Sequence, residues 1–256
     1  MGHMNIKDFR QELNFRDAGG YETTDGRHIR EGLFYRCGQL GDLTEEELNV
    51  VKSLGIRHVF DFRATGEAAK KPDPDIGAEY HLVPGLKIDG TEIDFSPDSI
   101  KLMAEKAQGE DLTGSVFVKI MYHEIIEDND AFQQVFNALK RGETPVLFHC
   151  TAGKDRTGMM AAFIQLALGA STQTALGDYM KTNTCRHALI QKGLEEEPDK
   201  DPEEITGRYG VTQSAFQESL HFITDKWGSL ENYFQDQYGL DESTLKHMKD
   251  MYLAHD

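Results

Sequence analysis

One short stretch of this sequence combines a nucleophile with a built-in anion cradle: Cys150-Thr151-Ala152-Gly153-Lys154-Asp155-Arg156-Thr157. A cysteine thiolate attacks electrophilic centres, and the planar guanidinium of arginine presents paired donors that match phosphate oxygens. The cysteine and the arginine are joined by a short glycine-containing loop. An apolar run, Pro145-Val146-Leu147-Phe148, leads into His149 and Cys150, and an apolar helical pattern from Met159 to Leu168 closes at Gly169. The expected order is therefore strand, tight loop, helix. At a helix start the backbone N–H groups are unpaired and point outward, which favours an anion through direct donors and the helix dipole. The same positive field should stabilise the thiolate of Cys150.

This chemistry suits a phosphomonoester, which needs a nucleophile, charge stabilisation on the equatorial oxygens and a proton for the leaving group. Cys150 is expected to form a phosphocysteine. Arg156 and the loop N–H groups from Thr151 to Arg156, with Ala152, Gly153 and Lys154 between them, are expected to hold the oxygens. Thr157 can donate a hydrogen bond to the sulfur, and His149 is expected to orient the loop rather than move protons. A nucleotide-binding P-loop does not fit, because Asp155 and not Ser/Thr follows Lys154, and position 148 is Phe. A cysteine protease would leave the arginine unexplained. A non-catalytic phosphate-binding module remains open as an alternative.

The elements that must position this loop can be read along the chain. Leu33–Arg36, Ile56–Phe62 and Glu79–Val83 read as strands. Thr44 with Glu47 forms a capping box before a helix that Gly55 ends. Asp61 falls at the C-terminal end of its strand, the edge where α/β sheets gather ligands. Residues 86–127 are mixed and irregular and read as a lid-like helical insertion. Helices are expected over 116–126, 131–139, 172–180, 214–227, 229–238 and 245–253, and the tract 195–204 reads as a solvated acidic turn. The expected fold is α/β: a mostly parallel sheet flanked by helices, with a helical C-terminal flank. A single domain spans 5–256, and residues 1–4 read as a cloning remnant.

The motif His149-Cys150-x5-Arg156-Thr157-Gly158, with Lys154-Asp155 inside it, resembles the bacterial atypical dual-specificity and tyrosine phosphatases, a cysteine-based family. The same family resemblance extends to Asn14-Phe15-Arg16-Asp17-x-Gly19-Gly20, to Tyr35-Arg36-Cys37-x-x-Leu40 with Cys in a serine position, and to Asp61-Phe62-Arg63. It covers residue 11 to the C-terminus. The resemblance implies a cysteine-phosphatase fold, a phosphotyrosine protein or phosphoinositide as substrate, and inorganic phosphate as product. It also implies Asp61 as general acid, and it places Lys154 where it could meet a second phosphate; Asp155, by its place inside the loop, and then Asp89, in the insertion, are the competing candidates for the acid.

Bulk composition narrows the partners. With 27 basic against 44 acidic residues the net charge is −17, which lacks the basic footprint of a general nucleic-acid binder and disfavours docking on an anionic membrane. An anionic substrate must then be drawn in by a local pocket. Three cysteines are too few and too spread for a disulfide framework, so Cys37 and Cys185 are expected to be small buried side chains. Neither a metal nor another cofactor is expected for the reaction. No stable membrane insertion is expected, and the cytoplasm is the simplest compartment, or the outside of the cell if a leader has been removed.

Overall fold

A computed structural model describes residues 5–107 and 114–254. Its centre is a five-stranded sheet in the order Arg16–Asp17, Phe34–Cys37, Val146–His149, His58–Asp61, Glu79–Leu82. The first pair is antiparallel and the other three are parallel. The expected α/β architecture is what forms. Strand residues alternate between two apolar clusters. Phe34, Phe60, Val146 and Phe148 face the larger one, and Tyr35, Cys37, Val59 and Leu147 face the smaller. Burial of both faces is the usual condition of a parallel sheet. Each wholly buried Phe here stabilises the fold by about 1.5–3 kcal/mol.

Register decides what meets at the functional edge. His149 pairs with Cys37 on one side and with Asp61 on the other. Cys150 therefore leaves the sheet at its middle strand. The helix Asp155–Ala167 that follows is buried on almost every side, including Met159, Met160, Phe163 and Ile164. A helix that is apolar all round belongs inside the molecule, and this one fixes the loop ahead of it to the core. The capping box is present, with Thr44 and Glu47 exchanging hydrogen bonds at the start of Glu45–Ser53.

Residues 86–127 form a hairpin, Lys87–Ile88 with Thr91–Glu92, and the helices Pro97–Lys106 and Gly114–Ile126. Residues 108–113, within the expected insertion, lie outside the described residues. Ile88, Ile93, Met103, Met121 and Ile125 of this segment join the main core. The acidic tract 195–204 departs from its expected turn: it closes the helix His187–Glu196 and opens the helix Pro202–Tyr209. The start signal is local. Asp201 accepts from the Glu203 N–H at 2.9 Å, and Pro202 occupies the first turn, where its missing N–H is not needed. The short strand Leu253–Ala254, paired with His28–Ile29, was not expected either. Among the described residues no helix is long and apolar enough to cross a membrane.

Candidate active site

The loop is held from behind at one atom. The Gly153 carbonyl accepts from Asn14 Nδ2 and from Arg36 Nη2, both at 2.8 Å. Gly153 has a φ of +65°, and a Cβ there would stand 2.4 Å from the Cys37 carbonyl oxygen. Only glycine lets the loop approach the strand end this closely. Arg36 is fully buried, and its Nη1 pairs with Asp178 Oδ2 at 2.8 Å. Asp178 also receives Arg16 Nε at 2.8 Å and the Tyr21 hydroxyl at 2.7 Å. The Asn14–Asp17 and Tyr35–Leu40 motifs thus converge on the back of the loop.

In front, Cys150 sits at the floor of a cavity of about 550 Å³, and is itself 3% exposed. Thr151, Ala152, Lys154, Asp155 and Arg156 line the same cavity. The first intrahelical bond is Gly158 N–H to Lys154 O at 2.9 Å, so the N–H groups ahead of it are left for an anion. Arg156 donates through Nη1 to Phe62 O at 3.0 Å and to Glu67 Oε2 at 2.8 Å, and through Nη2 to Glu67 Oε1 at 3.1 Å. A guanidinium has five N–H donors. Among the described residues Nε and the second Nη2 hydrogen have no acceptor, and together they make one side-on fork. Burial disfavours the Arg156 charge, but Cys150 and Glu67 outweigh it and hold the group above its ordinary value.

A family model described as the tyrosine phosphatase family matches residues 7–254. The chain belongs to the tyrosine phosphatase family. The triple specificity protein phosphatase PtpB of Mycobacterium tuberculosis is 26% identical over 283 residues, covering 98% of this chain and all of that relative. A Cupriavidus necator protein named a putative tyrosine-protein phosphatase is 29% identical over 91% of this chain and 84% of its own length. A tyrosine-protein phosphatase of Nostoc commune is 27% identical over 86% of this chain and 74% of its own. The chain is a protein-tyrosine phosphatase, a hydrolase of phosphoproteins that releases phosphate.

The expected general-acid candidates occupy three different settings in this phosphatase. Asp61 is wholly buried and does not line the cavity. Its oxygens accept from Arg63 Nη2 at 2.7 Å, from Arg63 Nε at 3.0 Å and from the Tyr80 hydroxyl at 2.7 Å. Burial alone would raise its pKa, but His149, Arg63 and Tyr80 outweigh it and hold the carboxyl below its ordinary value. Asp155 lines the cavity beside Cys150, and its Oδ1 accepts from the Tyr122 hydroxyl at 2.8 Å. Asp89 lies at an exposed hairpin turn, with its Oδ1 3.6 Å from Lys106 Nζ.

His149 is fully buried, with Nε2 2.8 Å from Asp73 Oδ2 and Nδ1 3.3 Å from the Cys150 carbonyl oxygen. Burial would lower its pKa, yet the charges of Asp61 and Asp73 hold it above its ordinary value. Lys154 Nζ donates to the carbonyls of Gly207 at 2.8 Å, Gly210 at 3.0 Å and Arg208 at 3.2 Å. It therefore ties the loop to the C-terminal end of the helix Pro202–Tyr209, where cations are favoured. The hydroxyl of Thr157 is buried without a protein partner among the described residues.

Glu67 and Tyr122 complete the site and were not singled out by the sequence, and Phe95 joins them from the expected insertion. Glu67 also accepts from the Thr151 hydroxyl at 2.5 Å and from the Ala64 N–H at 2.9 Å. It is the third residue of a helix whose start it caps, and that spacing is the only signal the sequence offers. Since Glu67 takes one edge of Arg156 and leaves the other free, Glu67→Gln is expected to lower kcat/KM by about tenfold to a hundredfold, the size of a misplaced binding group. Steady-state kinetics with a phosphotyrosyl peptide would check this. Faster turnover with tighter phosphate inhibition would mean that Glu67 competes for the anion site instead.

Proposed function

We propose that this enzyme hydrolyses phosphotyrosine through a phosphocysteine on Cys150, with Asp155 as general acid. The Cys150 thiolate attacks phosphorus, the bond to the tyrosyl oxygen breaks, and Asp155 gives that oxygen its proton. A water then attacks the phosphocysteine, Asp155 takes the water's proton, and inorganic phosphate leaves. The free fork of Arg156 and the loop N–H groups from Thr151 to Arg156 bind the equatorial oxygens throughout. The Thr157 hydroxyl bonds neither Cys150 Sγ nor any other described group in the structure, so its expected donation to the departing sulfur in the second step would have to form during turnover. His149 orients the loop, and Asp61 belongs to the buried ion network that holds His149.

The observation that carries this reading is the convergence of Cys150, Asp155 and Arg156 on one cavity. Its upper wall comes from Phe95, Ile100, Phe117, Val118 and Met121, all from the insertion, which we take to cover the site. Phe95 stands 5.8 Å from the Arg156 guanidinium, measured to the ring centroid. Its φ is +59°, a strained setting for a bulky side chain that points to a functional role. An aromatic wall above a sulfur at the cavity floor favours a long, flat phosphotyrosine. Phosphothreonine is a poorer second substrate. A phosphoinositide would need Lys154 for its second phosphate, and that ammonium is already committed to three carbonyls.

A substrate panel tests the preference. Phosphotyrosyl peptides should exceed phosphothreonyl peptides and phosphatidylinositol phosphates in kcat/KM. Phe95→Ala should lower the phosphotyrosine value by about twofold to tenfold, the worth of one aromatic contact of about 0.5–1.5 kcal/mol, and leave phosphothreonine nearly unchanged. Equal losses on both peptides, or a lipid that leads the panel, would overturn this assignment.

A further inference from the structure

At the opposite end of the sheet from Cys150, two imidazoles and a carboxylate converge. His58 begins one strand, and Glu79 and His81 lie on its parallel neighbour, with His58 opposite Glu79 and Phe60 opposite His81. Side-chain alternation puts all of them on one sheet face. His58 Nδ1 is 3.1 Å from His81 Nε2. Glu79 Oε2 is 3.5 Å from His58 Nδ1, and Glu79 Oε1 is 3.7 Å from His81 Nε2. A zinc ion with ligands at about 2.0–2.1 Å in tetrahedral array has ligand-to-ligand edges of about 3.3–3.4 Å. The imidazole separation and the two distances to the Glu79 carboxylate, one to each of its oxygens, bracket that value.

We propose that His58, Glu79 and His81 form a binding site for a divalent zinc-class metal ion, distinct from the phosphatase site. The rings are already fixed. His81 stacks on Phe60 with centroids 4.8 Å apart and an interplanar angle of 15°. On the far side of its own ring, His58 Nε2 lies 3.8 Å from Glu143 Oε2, which is held by Arg141 Nη2 at 2.6 Å. A cavity of about 340 Å³ opens over the group, walled by Gln134, Asn137 and Arg141 from the other side. Glu79 is 67% exposed, so water can complete the coordination. An N–H···N hydrogen bond would account for the imidazole pair but not for a carboxylate that faces both nitrogens.

The buried trio Asp61, Asp73 and His149 has similar spacing but a different balance. Arg63 Nη2 lies 2.7 Å from Asp61 and 3.0 Å from Asp73, so those charges already have a cation. At the His58 site the metal would instead clamp the edge strand Glu79–Leu82 to its neighbour. It stands a strand's length from Cys150, roughly 10 Å or more, and takes no part in hydrolysis.

The test is zinc titration by calorimetry with metal analysis, in a His3→Ala/Cys150→Ser background. That background removes a histidine near the N-terminus and the reactive thiol. One zinc per chain is expected, with a Tm rise of roughly 5–10 °C at about 100 times Kd. His81→Ala and Glu79→Gln should each weaken binding at least tenfold. Glu79 is exposed, so its variant keeps the test valid if a histidine variant folds poorly. No zinc uptake, or uptake unchanged in both ligand variants, would overturn the proposal.

Discussion

Asp155→Asn is expected to lower kcat/KM on phosphotyrosyl peptides by about 10²–10⁴, the usual contribution of a positioned general acid. The loss in kcat/KM should be far smaller on p-nitrophenyl phosphate, whose leaving group departs as a stable anion and needs no proton, while kcat falls on both because hydrolysis of the phosphocysteine also uses Asp155. The geometry behind this is specific. Asp155 opens the buried helix that follows the nucleophile's loop, shares the cavity with Cys150, and is steadied at Oδ1 by Tyr122. Asp61→Asn should behave differently. Its oxygens serve Arg63 and Tyr80 in a sealed network, so the variant should lose stability and affect both substrates alike. A leaving-group dependence that follows Asp61 and not Asp155 would reverse the assignment.

Asp178→Asn is expected to destabilise the protein by about 3–5 kcal/mol, because it leaves buried charge without its partner. Asp178 is 1% exposed and pairs with Arg36, itself wholly buried, and with Arg16. That is a large share of a typical stability of about 5–15 kcal/mol. Burial would raise the carboxyl's pKa, but Arg16, Arg36 and Tyr21 outweigh it and hold Asp178 well below the usual range. A depressed carboxyl stabilises the fold above its unfolded value of about 3.9, and that stabilisation is lost as pH falls toward the folded value. Urea unfolding from pH 7 downward should show the wild type losing stability on the acid side, with a shallower slope in Asp178→Asn. Because Arg36 also holds the Gly153 carbonyl, kcat/KM should fall as well. A variant as stable and active as the wild type would contradict this account of the loop's support.

The parts of this architecture that depend on local sequence were legible. The strand before Cys150, the helix after it and the capping box at Thr44 each follow from patterns within about a dozen residues. Cys150 and Arg156 could be placed together because one loop carries both. What depended on pairing between distant segments was hidden. Glu67 meets Arg156 across 89 residues of chain, and Tyr122 meets Asp155 across 33. His58 and His81 become neighbours only when their strands take a parallel register. The strand-end rule placed Asp61 on the right edge of the sheet, but it carries no information on whether the side chain opens to the cavity or is sealed by Arg63. At 195–204 the acidic composition masked a helix start that Asp201-Pro202 signals on its own.

The most direct test is to quench the enzyme rapidly in acid during turnover of a radiolabelled phosphotyrosyl peptide, then to map the label on the protein. The label should appear on the peptide that contains Cys150, as phosphocysteine, and both label and turnover should vanish in Cys150→Ser. Turnover that persists in Cys150→Ser, or a phosphoenzyme on any other residue, would contradict the account.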